Sequence, residues 1–195
     1  MLRNVFLAAA LALATTPALA ANPQVEFDTS AGVIKVELYP DAAPKTVANF
    51  LDYVKSGHYN GTQFHRVIDG FMIQGGGFTA DFKEKPTKPP IPLEAEASSK
   101  AGLKNVPGTL AMARTSDPNS ATSQFFINVN NNERLNFTPG NPGYTVFGKV
   151  VDGMDVVTKI AKAPKGATGP VGPGINPGDV PATLVVVKSA KVIGG

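Results

Sequence analysis

The sequence predicts an all-β fold, either a barrel or a sandwich. Short runs of β-branched and aromatic residues recur along the chain, each bounded by turn-forming residues. The punctuation is dense, with 20 glycines and 17 prolines among 195 residues. Only two stretches show helical spacing instead.

In chain order, residues 1–20, MLRNVFLAAALALATTPALA, stand apart. Arg3 precedes an apolar run over 5–14, and Ala18-Leu19-Ala20 supplies the small-x-small pattern of a cleavage site. A membrane span needs about 20 apolar residues, and Thr15, Thr16 and Pro17 end this run sooner. The expectation is a secretory signal peptide over 1–20, cleaved after Ala20. One domain over 21–195 follows, periplasmic and soluble, with no later segment long and apolar enough to span a membrane.

Val33-Ile34-Lys35-Val36-Glu37-Leu38 alternates in part and reads as a strand. Val47, Phe50, Leu51 and Val54 then fall on one helical face, with Pro44 suited to the first position and Gly57 to the end. Strand signals return at 109–113, 124–129 and 144–150. Met154, Val157, Ile160 and Ala161 mark a second amphipathic helix around 153–162. Neither helix is long enough to be stable alone, so both are expected to plug the open ends of a barrel. Residues 163–182 are rich in Gly and Pro and read as an irregular loop before a final strand over 183–192.

The chemical inventory removes whole classes of function. With no cysteine and only His58 and His65, neither a disulfide framework nor a closed tetrahedral zinc site is expected. The net charge of +3 comes from scattered lysines and arginines, so neither nucleic acid nor an anionic membrane is implied. No G-x-S-x-G elbow is present. Gln74-Gly75-Gly76-Gly77 lacks the Gly-Lys-Ser/Thr of a phosphate loop and reads as a close backbone approach.

Two segments are less ordinary. In Thr122-Ser123-Gln124-Phe125-Phe126-Ile127-Asn128-Val129, alternation puts Phe125, Ile127 and Val129 on a core face. Phe126 then stands between Gln124 and Asn128 on an otherwise wet face, either as a binding-pocket aromatic or as an isolated surface residue. In Phe64-His65-Arg66-Val67-Ile68, an arginine sits in a β-prone apolar run with no adjacent carboxylate. It is either an exposed outer-face residue, which spacing alone favours, or a held guanidinium beside an apolar pocket.

Together these segments resemble the cyclophilin family. FHRVIDGFMIQGGGF, GTLAMAR, TSQFFIN and YTVFGKVVDGMDVV occur in the family's order, and the resemblance runs from Val25 to the C-terminus. AMARTSDPNSATSQFFINV, with Tyr144 before VFG, looks most like the bacterial periplasmic branch. The resemblance implies a closed eight-stranded antiparallel barrel capped by two helices. It also implies peptidyl-prolyl cis-trans isomerase activity on proline-containing unfolded or extended polypeptides, without a cofactor or metal and in a monomer. On the family pattern Arg66 is the catalytic residue, and Phe71, Met72, Phe126 and Leu135 hold the proline ring. Gln74 binds peptide backbone, while Ala113, Gln124 and Tyr144 border the groove. Tyr144 stands where many members have histidine, and Arg134 where many eukaryotic members have tryptophan. An idle binding module on the same fold would keep the pocket and lose Arg66. A general chaperone would rely on a broad apolar surface, and a carbohydrate-binding barrel is weakened by the absence of tryptophan.

Overall fold

Alternation sets the first strands of the structure, a computed structural model that describes residues 21–194 apart from Thr168. The expected signal peptide, 1–20, lies outside the described residues. In β1 (Gln24–Thr29) and β2 (Gly32–Leu38) every second residue is buried: Val25, Phe27 and Thr29 on one strand, Ile34, Val36 and Leu38 on the other. Six more strands complete an antiparallel sheet: β3 (Arg66–Ile68), β4 (Met72–Gly75), β5 (Thr109–Met112), β6 (Phe125–Asn128), β7 (Val146–Asp152) and β8 (Val187–Gly194). Their spatial order is β3-β4-β6-β5-β7-β2-β1-β8. The strands at 109–113, 124–129, 144–150 and 183–192 thus form within a few residues of expectation, and β1, β3 and β4 are additions.

The sheet curls without closing. β3 and β8 are its edges and share no ladder. The gap is bridged by the segment before β3, which pairs with the start of β8 and the residues before it. The Gly61 N–H donates to the Val187 carbonyl and the Val187 N–H to the Thr62 carbonyl, both at 2.8 Å. Gln63 pairs with Val186, and the Phe64 N–H donates to the Val185 carbonyl at 3.0 Å. The reason lies in the length and surroundings of β3. It is three residues long, one edge is taken by β4, and a 3₁₀ turn at Pro177–Asp179 packs beside it. The part of the 163–182 loop that reaches β3 is this 177–179 turn.

Phe27, Phe50, Tyr59, Phe125 and Phe147 form the centre of the core, with neighbouring ring centroids 5.0–6.2 Å apart. Phe50 reaches it from α1 (Pro44–Lys55), which starts at the expected proline. No side chain of the helix itself caps α1. Instead the Glu94 carboxylate accepts from the N–H groups of Lys45 and Thr46, at 3.1 and 2.8 Å. That satisfies donors otherwise left free and places a negative charge at the positive end of the helix dipole. Glu94 immediately precedes α2 (Ala95–Lys100), a short helix beyond the two expected. The second expected helix is α3 (Met154–Ala161), which buries Val157, Ile160 and Ala161.

Candidate active site

Register alone brings the central residues together. Arg66 on β3 lies opposite Gln74 on β4, Gln74 opposite Phe126 on β6, and Phe126 opposite Ala111 on β5. Residues directly opposite in antiparallel strands share a face, so these side chains form one row across four strands. Met72, two residues before Gln74, stands on the same face. The row floors a recess of about 110 Å³ that Arg66, Phe71, Met72, Gln74, Ala113, Arg114, Phe126, Leu135 and Tyr144 enclose. Gln124 lies in the adjoining groove, where Gln74 and Ala113 also reach. The structure thus places the nine residues that the family pattern marks in the recess or the groove beside it.

The recess is half apolar receptacle and half polar wall. Phe126 meets Tyr144 edge-on at 5.7 Å, and the Arg114 guanidinium lies 4.5 Å over the tyrosine ring. Arg114 is itself fixed by donating from Nη2 and Nε to the Gly143 carbonyl, at 2.9 and 3.2 Å. On the polar side, Arg66 Nη1 donates to Gln74 Oε1 at 3.4 Å, and Gln74 Nε2 donates to Gln124 Oε1 at 2.9 Å. This relay turns the Gln74 oxygen toward the guanidinium. Arg66 Nε lies 3.6 Å from Asp179 Oδ2, with the arginine side chain 43% exposed.

The glycine run is explained by this wall. A Cβ on Gly77 would lie 2.6 Å from Gln124 Nε2, and Gly76 has φ +91° with no room for a side chain beside Tyr59 and the Ser123 carbonyl. Neither position tolerates another residue without displacing Gln124 or its strand. The expected close backbone approach is what the structure contains.

The expected wet face of β6 is covered instead. Phe126 is 4% exposed and Asn128 fully buried. Asn128 is satisfied by neighbours: its Nδ2 donates to Thr109 Oγ1 at 3.0 Å, and its Oδ1 accepts from Asn132 Nδ2 at 2.6 Å. Asn132 also donates to the Phe71 carbonyl at 2.9 Å, and Asn105 to the Leu135 carbonyl at 3.1 Å. A buried amide network therefore ties the segments carrying Phe71 and Leu135 to the sheet. Alternation placed Asn128 on a wet face because it does not reveal that a layer of loops covers that face.

The whole-chain comparisons agree with one another. The model for "Cyclophilin type peptidyl-prolyl cis-trans isomerase/CLD" matches residues 24–192. The chain belongs to the cyclophilin family. Among curated cyclophilin relatives, peptidyl-prolyl cis-trans isomerase A of Dickeya dadantii is 52% identical over 182 residues, covering 92% of this chain and 90% of the relative. Peptidyl-prolyl cis-trans isomerase B of Escherichia coli is 52% identical over 171 residues, covering 86% and 98%. A Cryptosporidium parvum cyclophilin crystal structure matches with a TM-score of 0.69 at 27% identity, covering 89% of this chain and 99% of that one. A second such structure, determined in the presence of the dipeptide Ala-Pro, gives a TM-score of 0.69 at 28% identity.

Two residues at the cyclophilin site escaped the sequence reading. Arg114 stands within the AMAR motif, but its clamp on Tyr144 depends on a loop that returns from residue 143. Asp179 comes from the Gly/Pro-rich loop, and no local pattern ties it to Arg66. His65, adjacent to Arg66, turns the other way and packs edge-on against Phe78 at 4.8 Å. Burial lowers its pKa from 6.5 to about 4, and the neighbouring Arg66 charge adds to the effect against a backbone hydrogen bond. The unfolded chain then binds a proton on His65 that the folded chain refuses. Its contribution to stability is complete above about pH 6.5 and is lost progressively as pH falls toward 4. Melting temperatures of wild type and His65→Gln between pH 7 and 4 should show a shallower decline in the variant. Parallel curves would remove His65 as the cause.

Proposed function

We propose that this isomerase works outside the cytoplasm on X-Pro bonds of extended exported polypeptides, as a monomer, with Arg66 as the catalytic group. The observation that carries the site assignment is a guanidinium held by Gln74 at the lip of an apolar recess. Peptide rotation is slow because the nitrogen lone pair is delocalised into the carbonyl, with a barrier of about 18–20 kcal/mol. X-Pro bonds have an appreciable cis population and exchange over roughly tens to hundreds of seconds. In the twisted state conjugation is lost and the proline nitrogen becomes an acceptor. A fixed guanidinium that donates to it mainly in that state stabilises the transition state selectively.

Each residue of the recess then has a task. Phe126, Met72, Leu135 and Phe71 hold the proline ring while the other side turns, and Gln74 grips a backbone carbonyl of the substrate. Ala113, Gln124 and Tyr144 shape the groove along which the chain lies. Arginine suits the donor role because its planar fork is always charged and can reach two atoms at once. Rotation makes and breaks no covalent bond, so the reaction calls for no nucleophile, general base or cofactor. That a Cryptosporidium cyclophilin structure was determined in the presence of the dipeptide Ala-Pro is in keeping with a proline-containing ligand.

Export rests on residues 1–20. Protein recovered from a periplasmic fraction should begin at Ala21, as read by intact mass. A periplasmic species that keeps residues 1–20, or recovery only from the cytoplasm, would overturn the proposed location.

A further inference from the structure

We infer that Asp179 is a positioning residue for Arg66, and that the Gly/Pro-rich loop over 163–182 serves to deliver its carboxylate. The inference rests on the reading of Arg66 as the donor to the proline nitrogen. In the structure Asp179 Oδ2 lies 3.6 Å from Arg66 Nε, on the opposite side of the guanidinium from the Nη1 that meets Gln74. The plane of the fork is thereby set from two directions, with Nη1 on Gln74 and Nε beside the carboxylate, while Arg66 still lines the recess.

The loop is built to hold that carboxylate still. Asp179 ends a 3₁₀ turn that opens with Pro177, and the Asn176 side chain accepts from the Gly178 N–H at 3.1 Å. The next residue, Val180, is fully buried, and its carbonyl accepts from the Gly166 N–H at 2.8 Å. Across the loop's base the Ala182 N–H donates to the Pro164 carbonyl at 2.8 Å. An irregular segment with this many fastenings is not slack. The Asp179 side chain is only 23% exposed, so the fastenings leave it turned toward β3 instead of solvent.

A half-exposed ion pair contributes little to stability, so its value must lie elsewhere. Arginine has much side-chain freedom to lose on ordering, and small misplacements of a catalytic group can cost about a hundredfold in rate. Pre-ordering the guanidinium removes part of that loss. The opposing effect is that a carboxylate partly neutralises the donor. Because the pair is separated by 3.6 Å and the arginine is 43% exposed, that neutralisation is weak and orientation is the larger effect.

The test is a set of variants assayed on a short X-Pro peptide. Asp179→Ala should lower kcat roughly tenfold, a fraction of a full misplacement. KM should stay within about twofold, because the contact acts through a group engaged in the twisted state. Melting temperature should be unchanged. In an Arg66→Ala background the same substitution should cost nothing further. Wild-type or raised kcat in Asp179→Ala, or an equal fold-loss in both backgrounds, overturns the inference and leaves Arg66 untouched. Wild-type kcat in Arg66→Ala alone overturns the underlying reading instead. Should the alanine variant not fold, Asp179→Asn replaces it: reduced kcat at unchanged KM supports the role, and wild-type kcat sinks it.

Discussion

Arg66→Ala is expected to lower kcat for a short X-Pro peptide by roughly two to three orders of magnitude, the cost of losing one donor aimed at a transition state, about 2.7–4 kcal/mol. The peptide should still bind, since Phe126, Met72 and Leu135 enclose the recess without help from the arginine. The fold should survive. The side chain is 43% exposed and its partners, Gln74 and Asp179, lie outside the core. Arg66→Lys separates charge from geometry: a point charge on a flexible stem cannot keep Nε toward Asp179 and Nη1 toward Gln74 together. It should recover little. Turnover near wild type in a folded Arg66→Ala enzyme would take Arg66 out of the mechanism.

Phe125→Ala should do the opposite, damaging the fold and leaving the site's chemistry in place. Phe125 is 1% exposed and packs against Phe27, Phe50 and Tyr59, each with centroids 5.5 Å away. Removing a ring from such a cluster costs about 3–5 kcal/mol, a fall in melting temperature of roughly 10 °C for a domain of this size. Phe126, one residue on, belongs to a smaller cluster with Met72, Ala111 and Val146 and borders the open recess. Its truncation should cost less stability but weaken the grip on proline, lowering kcat/KM by roughly ten- to a hundredfold, as expected for a lost aromatic contact. Melts and kinetics of both variants decide the matter. A larger thermal loss in Phe126→Ala than in Phe125→Ala would mean that the two faces of β6 are assigned the wrong way round.

That pair shows which parts of the molecule were legible in the sequence. Alternation separated Phe125 from Phe126 correctly, and helical spacing placed α1 and α3 within a few residues. The roles along FHRVIDGFMIQGGGF came from family likeness, because spacing alone favoured an exposed outer-face arginine. What escaped was non-local. Gln24-Val25-Glu26-Phe27-Asp28-Thr29 alternates cleanly but holds only two large apolar residues, too weak a signal to name β1 in advance. α2, with Ala95 and Ser98 as its buried positions, has no apolar stripe to find. The open seam, and Asp179 reaching Arg66 through it, depend on where a Gly/Pro-rich loop comes to rest, which its composition does not encode.

The place of β1 between β2 and β8 bears on how the chain is made. The first strand of this sheet takes as a neighbour the last. Such pairing is slow to form, since nearly the whole chain must be present before its contacts can offset the ordering. In the interval β1 has a bare edge, the kind of surface on which nascent chains stick to one another. Its outward residues answer this hazard. Glu26 and Asp28 put two negative charges on the waiting strand, and the arriving strand is positive, with Lys191 opposite Glu26 and Lys188 Nζ 3.3 Å from Asp28 Oδ1. The same two carboxylates that repel another copy of β1 welcome β8, so the order of synthesis is written into the charges of the first strand.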